Sequence, residues 1–198
     1  MTTLIQLDRQ IIDVLVEAFK DNMRIRAMLR IPNKENLKAL FSYCYHYTKH
    51  VGHVYYCKEE NTAALYFQNS KAKSINFYSL WMLKLIIFSF SWTSLVSTIR
   101  KNRIIKKIRK KASTKFGDDD FLYVWFMGGK SPNGNMKGML KVKESIIQES
   151  KKSKLPIYIE TTIDRMVPIY ENRGFEFYKT HKIGKTTIHF AKYNHHGK

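Results

Sequence analysis

Cysteine is nearly absent from this chain, and acidic residues are few beside the basic ones. Only Cys44 and Cys57 occur in 198 residues. They are too few and too far apart for a zinc knuckle or a disulfide framework, and each falls in an apolar pattern that suits a buried thiol. Asp and Glu number 16 against 35 Lys and Arg, a formal net charge of +19. Such a surface attracts nucleic acid, anionic lipid or an acidic ligand. Yet no zinc-finger, helix-turn-helix or aromatic stacking pattern accompanies the charge. The abundance of Lys, Ile, Asn, Tyr and Phe also matches an A/T-rich coding bias, which explains the charge as readily. No charged-then-apolar leader opens the chain, and no repeat or low-complexity linker divides it. The expectation is one cytoplasmic domain over 1–198 with a substantial core, as a monomer or homodimer. His189, His195 and His196 lack metal spacing with carboxylates, so no metal is expected.

Taken in order, Leu4–Leu7 reads as a short strand and Asp8 as an N-cap. Ile11, Ile12, Leu15, Val16 and Phe19 then recur at helical spacing. Pro32 and Asn33 open a second helix with Leu37, Leu40, Phe41 and Cys44 on its apolar face. Its tyrosines and His46 read as a half-buried amphipathic surface. Val54–Cys57 and Ala63–Phe67 flank the polar turn KEENT as a hairpin. Phe77–Ile99 is almost uninterrupted apolar and aromatic, but Lys84 and a cluster of serines and threonines argue for a soluble helical insert over a membrane span. The basic run after it has helical spacing. Ile104, Ile105 and Ile108 face inward, while Lys101, Arg103, Lys106, Lys107, Arg109, Lys110 and Lys111 face out. The insert covers 77–115.

Phe121–Tyr178 organises the rest. An apolar run ending in paired glycines, FLYVWFMGG, leads through KSPNGNMKG into the amphipathic MLKVKESIIQES, then LPIYIETT and VPIYENRGFEFY. That is strand, glycine-bearing turn, helix, strand, short helix, strand. A helix opened by such a turn presents unpaired N–H groups at a positive dipole end, which suits a phosphate. A loop containing Gly184 separates Phe175–Tyr178 from the alternating strand Thr186–Tyr193.

IETT and VPIYENRGFEFY, in this order after the strand–turn–helix, resemble the GNAT superfamily of N-acetyltransferases, nearest the puromycin N-acetyltransferase-like branch. The resemblance implies an α/β (α+β) fold with a mixed, splayed central sheet flanked by helices. It implies acetyl-CoA as co-substrate, held in the V between the two central strands, and a small-molecule or peptide amine as acceptor. By the same resemblance, backbone groups at Phe126, Met127 and Gly128 pair with the pantetheine arm. The turn Asn133, Gly134, Asn135, Met136, Lys137, Gly138, continued by Met139, takes the pyrophosphate. Tyr170 protonates the departing thiolate, a role a phenol of ordinary pKa about 10 can fill at neutral pH. Glu160 and Asp120 are the carboxylates that could take the amine's proton or hold a cationic acceptor. Three departures from the family pattern stand out. Met136 replaces the middle glycine, and Asn133 stands where Gln or Arg is usual. Asp120-Phe121 stands where relatives carry His-Trp, with Ile163, Asp164, Arg165 and Met166 in place of an asparagine-rich segment. The alternative is a GNAT-like binding module that engages nucleic acid or an anionic membrane through its basic helix.

Overall fold

A computed structural model of the chain describes residues 2–73, 92–130, 136–184 and 186–194. The elements in order are α1 (Thr2–Phe19), α2 (Met23–Arg26), α3 (Lys34–Val51), β1 (Gly52–Cys57), β2 (Thr62–Gln68), α4 (Trp92–Phe116), β3 (Leu122–Gly129), α5 (Met136–Ser153), β4 (Ile157–Thr161), α6 (Val167–Glu171), β5 (Phe175–Ile183) and β6 (Thr186–Tyr193). The six strands form one mixed sheet in the order β1-β2-β3-β4-β6-β5. Its single parallel pairing, β3 with β4, lies at the centre.

Most elements form where periodicity places them. Asn33 caps α3 by accepting from the Asn36 amide at 2.9 Å, and Leu37, Leu40, Phe41 and Cys44 are all buried. The hairpin pairs Gly52 with Phe67 through to Cys57 with Thr62. Three expectations are corrected. Leu4–Leu7 is the first part of α1, not a strand, because a four-residue apolar run carries no period of its own and joins the helix beside it. Asp8 therefore lies inside that helix, and its carboxylate accepts from the Tyr45 hydroxyl and from Lys49 at 3.1 Å, tying α1 to α3. Past Tyr178, β5 runs on to Ile183 against β6, and the chain turns at Gly184 with φ +62°.

The core lies on both faces of the sheet. On one face α1 and α3 pack Leu15, Val16, Phe41 and Cys44 over Ala63, Leu65 and Phe126. On the other, α5 packs Val142 and Ile146 over Ala64, Val124, Ile157 and Ile159. Helix α4 joins the first face, where Ala112 and Phe116 meet Tyr123 and Tyr158. Its basic run behaves as expected at Arg103, Lys106, Lys107, Lys110 and Lys111, which are exposed, and at Ile105, which is buried. Arg109 departs from that expectation and points inward. It lies four residues after Ile105 and three before Ala112, on the buried stripe. Among the described residues, no helix is long and apolar enough to cross a membrane. Residues 77–91 of the aromatic stretch lie outside the described part.

Candidate active site

β3 and β4 touch only at their beginnings. Leu122 pairs with Ile157 and Tyr123 with Tyr158, and there the ladder stops. β2 stays paired with β3 as far as Gly129, and β6 with β4 as far as Thr161. Two central strands, each held on its outer edge, thus diverge and leave facing backbone edges beyond Val124 and Ile159. A bulge contributes. Leu65 pairs with Phe126 and Tyr66 with Val124, so Trp125 is an extra residue in β3, and such a bulge bends its strand. The result is a cleft whose walls offer strand-type hydrogen bonds to an extended ligand.

Of the residues the resemblance placed along it, Phe126 turns its ring to the α1–α3 face. It packs edge-on against Phe19 and Phe41, with centroids 5.4 and 5.2 Å away. Met127 faces α5. Gly128 lets α1 approach, since a Cβ there would lie 2.7 Å from the Ala18 Cβ. Below them α5 begins at Met136, which is 52% exposed and turned to solvent. Gly138 is the tightest point of this helix: a Cβ would fall 2.2 Å from Thr62 Oγ1. Lys137 and Lys141 pair with Glu60 and Glu59 at 3.4 and 3.9 Å. The start of α5 is therefore moored to the β1–β2 turn. Met139 is half-buried next to this contact. Asn133, Gly134 and Asn135 lie outside the described residues.

Tyr170 stands on α6, which has Pro168 in its first turn and ends before Gly174, whose φ of +84° suits glycine. Its ring meets Phe175 edge-on at 5.4 Å, on the α5 face of the sheet. Burial pushes its phenol up to about 12, so it is a proton donor throughout the neutral range.

Glu160 points to the opposite face, toward α4. Its side chain is 5% exposed, and Arg109 Nε lies 3.1 Å from its Oε1. The pair is in contact but off line for a hydrogen bond, so both atoms are buried without a hydrogen-bond partner. Burial pushes the Glu160 carboxyl above its ordinary value, against the opposing pull of Arg109, Arg24 and a bond from the Tyr123 hydroxyl. The Arg109 guanidinium carbon lies over the Tyr123 ring, 3.8 Å from its centroid. Tyr178 lies within electrostatic reach of Glu160, Arg109 and Tyr123. It is the extra residue of a second bulge, between Phe177–Ala191 and Lys179–Phe190, and its hydroxyl is buried without a partner.

Neither Arg109 nor Tyr178 was singled out for the site by sequence. A signal for Arg109 existed, as the one charged position on the stripe Ile105, Ile108, Ala112, Phe116. None existed for Tyr178.

Asp120 is not part of this arrangement. It precedes β3 by two residues, while Glu160 lies three beyond the Leu122–Ile157 pair, a separation of roughly 16 Å along the strands. Its carboxylate is spent on Gln68 at 2.8 Å and on the amides of Ser70 and Phe121 at 3.0 and 2.8 Å. Those bonds hold it below the usual carboxylate range although burial works the other way. Asp118 is also structural, pairing with Lys192 at 2.7 Å and accepting from the Tyr158 hydroxyl at 2.6 Å. His189 is bracketed by Asp164 at 2.8 Å and Thr180 at 3.0 Å. Among the described residues, no three metal-binding side chains gather.

No protein-family model and no curated protein sequence matches the chain. Solved structures do. A polyamine N-acetyltransferase from Drosophila melanogaster, which catalyses the formation of N-acetylagmatine, superposes with a TM-score of 0.55 and 12% identity over 96% of both chains. The apo form of an agmatine N-acetyltransferase point mutant superposes with a TM-score of 0.55 and 11% identity, over 95% of this chain and 94% of that one. A mixed six-stranded sheet that splays between its central strands, with helices on both faces, gives this chain the fold of the GNAT N-acetyltransferases.

Proposed function

We propose that the protein is an acetyl-CoA-dependent N-acetyltransferase acting on a primary amine by direct attack. The observation that carries this reading is the divergence of β3 from β4 after a two-residue ladder, flanked by Tyr170 on one face and Glu160 on the other. The free edge of β3 around Phe126–Gly128 offers backbone groups to the pantetheine arm. The N-terminus of the 18-residue α5 offers amides to the pyrophosphate. Glu160 takes the first proton from the ammonium, directly or through a water. The amine nitrogen then bonds to the thioester carbonyl carbon, the carbon–sulfur bond breaks as Tyr170 gives its proton to the sulfur, and the second proton lost by the nitrogen passes through solvent to restore the Tyr170 phenol. Cys44 is buried in the core between α1 and α3 and Cys57 under α5, which fits direct transfer without an acyl-cysteine. The puromycin-like branch rests on the motif IETT…VPIYENRGFEFY alone.

The test is thiol release from acetyl-CoA across an amine library, with calorimetric titration of acetyl-CoA beside it. Tyr170→Phe is expected to lower turnover about a hundredfold or more with cofactor affinity unchanged. Full turnover in that variant would remove Tyr170 from the chemistry, and no binding at millimolar acetyl-CoA would end the reading. The exposed row Arg103, Lys106, Lys107, Lys110 and Lys111 favours a second reading, docking on nucleic acid or an anionic membrane. Its mark would be binding that falls steeply with salt and is lost when Lys106, Lys107 and Lys110 are neutralised.

A further inference from the structure

We infer that the acceptor is a zwitterion, an amine with a carboxylate close to it as in a free amino acid, and that Arg109 selects it. The inference rests on the acetyltransferase reading and concerns what meets Glu160. Glu160 Oε1 and Arg109 Nε are in ionic contact at 3.1 Å with no hydrogen bond formed by either atom, and the hydroxyl of Tyr178, which lies within electrostatic reach of both, is buried with no hydrogen-bond partner. Buried polar groups are nearly always satisfied, so a cluster of orphans marks a place where a polar ligand completes the bonding. The orphans are one acceptor and two potential donors. An ammonium satisfies the carboxylate, and a carboxylate satisfies the guanidinium and the phenol.

Charge points the same way. Glu160 is 5% and Arg109 12% exposed at the side chain, and Arg24 on α2 adds a second positive charge within electrostatic reach of Glu160. When Glu160 accepts the amine's proton it becomes neutral. Arg109 is then a buried cation that has lost its counter-ion, unless the acceptor brings one. Arg109 cannot readily swing away, because its guanidinium is held over the Tyr123 ring, 3.8 Å from the centroid. A diamine would instead bring a second ammonium beside two guanidiniums. The formal charge of +19 opposes its approach as well. This separates the chain from the polyamine and agmatine acetyltransferases that share its fold.

Pairs of amines that differ only in the carboxylate test the inference: arginine with agmatine, ornithine with putrescine, tyrosine with tyramine. Thiol release should favour the carboxylated member by about tenfold to a hundredfold in kcat/KM, the range for one charged hydrogen-bonded contact. Arg109→Gln should erase that preference through KM, and Arg109→Lys should keep part of it. Circular dichroism melting of both variants establishes that they fold. Agmatine or putrescine preferred over its amino acid would overturn the inference and leave the acetyltransferase reading standing, as would an unchanged preference in folded Arg109→Gln. Absence of both acetyl-CoA binding and thiol release with every amine would sink the two together.

Discussion

Asp118→Asn isolates one buried charge pair and should be among the most damaging single changes in the protein. Asp118 stands just before β3, Lys192 in β6 and Tyr158 in β4, with Tyr158 and Lys192 directly opposite each other in the ladder. The Lys192–Asp118 contact is 2.7 Å, and the two side chains are 5% and 13% exposed. The ammonium also sits 4.4 Å from the Phe116 ring centroid and 6.0 Å from that of Tyr158, so aromatic rings flank it beside the carboxylate. The amide keeps the shape and can still accept from Tyr158, but it takes from Lys192 the carboxylate in contact with it, and Glu176, opposite Lys192 in the β5–β6 ladder, is exposed to solvent. Removing one partner of such a pair costs about 3–5 kcal/mol. In a domain of this size about 2–4 °C is lost per kcal/mol, so the melting temperature should fall by about 6–20 °C. Lys141→Gln, which breaks a 3.9 Å pair on the surface, should cost less than about 1 kcal/mol. Denaturant titration and calorimetry of both variants read the contrast directly. The double variant Asp118→Leu with Lys192→Met should recover most of the loss, because the desolvation of both charges is removed with them. If Asp118→Asn melts like Lys141→Gln, the reasoning fails and the pair is no stronger than a solvated one.

Gly138→Ala should destabilise by about 1–3 kcal/mol through overpacking against Thr62, whose Oγ1 would be 2.2 Å from the new methyl. Adding Thr62→Ala should return part of that, a non-additivity that a double-mutant cycle measures. Asn33→Ala removes the cap bond to the Asn36 amide and should cost about 1 kcal/mol in denaturant unfolding, with no change in acetyl-CoA affinity. The pH profile of kcat/KM should have an acid limb set by Glu160. Its carboxyl is raised above the usual 4.5 by burial, and only the ionised form takes a proton, so rate falls as pH drops through that raised value. Tyr170, at about 12, gives no alkaline loss at physiological pH. Glu160→Gln should lose both turnover and the acid limb; an intact limb in that variant would place the base elsewhere.

The periodic parts of this fold were legible in the residues, and the reasons are local. The stripe Leu37, Leu40, Phe41, Cys44 behind an asparagine cap can do little but form a helix with that face inward. FLYVWFMGG followed by an amphipathic run reads as strand and helix for the same reason. What failed lacked a period or had its meaning set from afar. Leu4–Leu7 is too short to show one. Asp8 looks like a cap until Tyr45 and Lys49 arrive from α3. Asp118, Asp119 and Asp120 are chemically alike in sequence. Folding gives the first an ammonium and the third two amides and a glutamine, which ties Asp120 to the start of β3 and the end of β2. Arg109 reads as one more outward charge because the run around it is basic, although its distance from Ile105 puts it on the inner stripe.

Tyr178 shows a different limit. Nine residues, Phe175–Ile183, pair with eight, Thr186–Tyr193, and the surplus residue is absorbed at Tyr178. A bulge is a difference in count between two strands, so neither strand contains it alone. Ending β5 at Tyr178 hides it completely. Trp125 arises the same way, between β2 and β3. Both bulges sit where a site needs an irregularity, one bending β3 away from β4 and one carrying a phenol into the Arg109–Glu160 cluster. A regular ladder at either position would have continued the β3 edge toward β4, or turned the side chain at 178 to the other face. The cleft and the Arg109–Glu160–Tyr178 cluster thus depend on two unpaired residues that hydrophobic alternation, the signal that locates strands, has no means of recording.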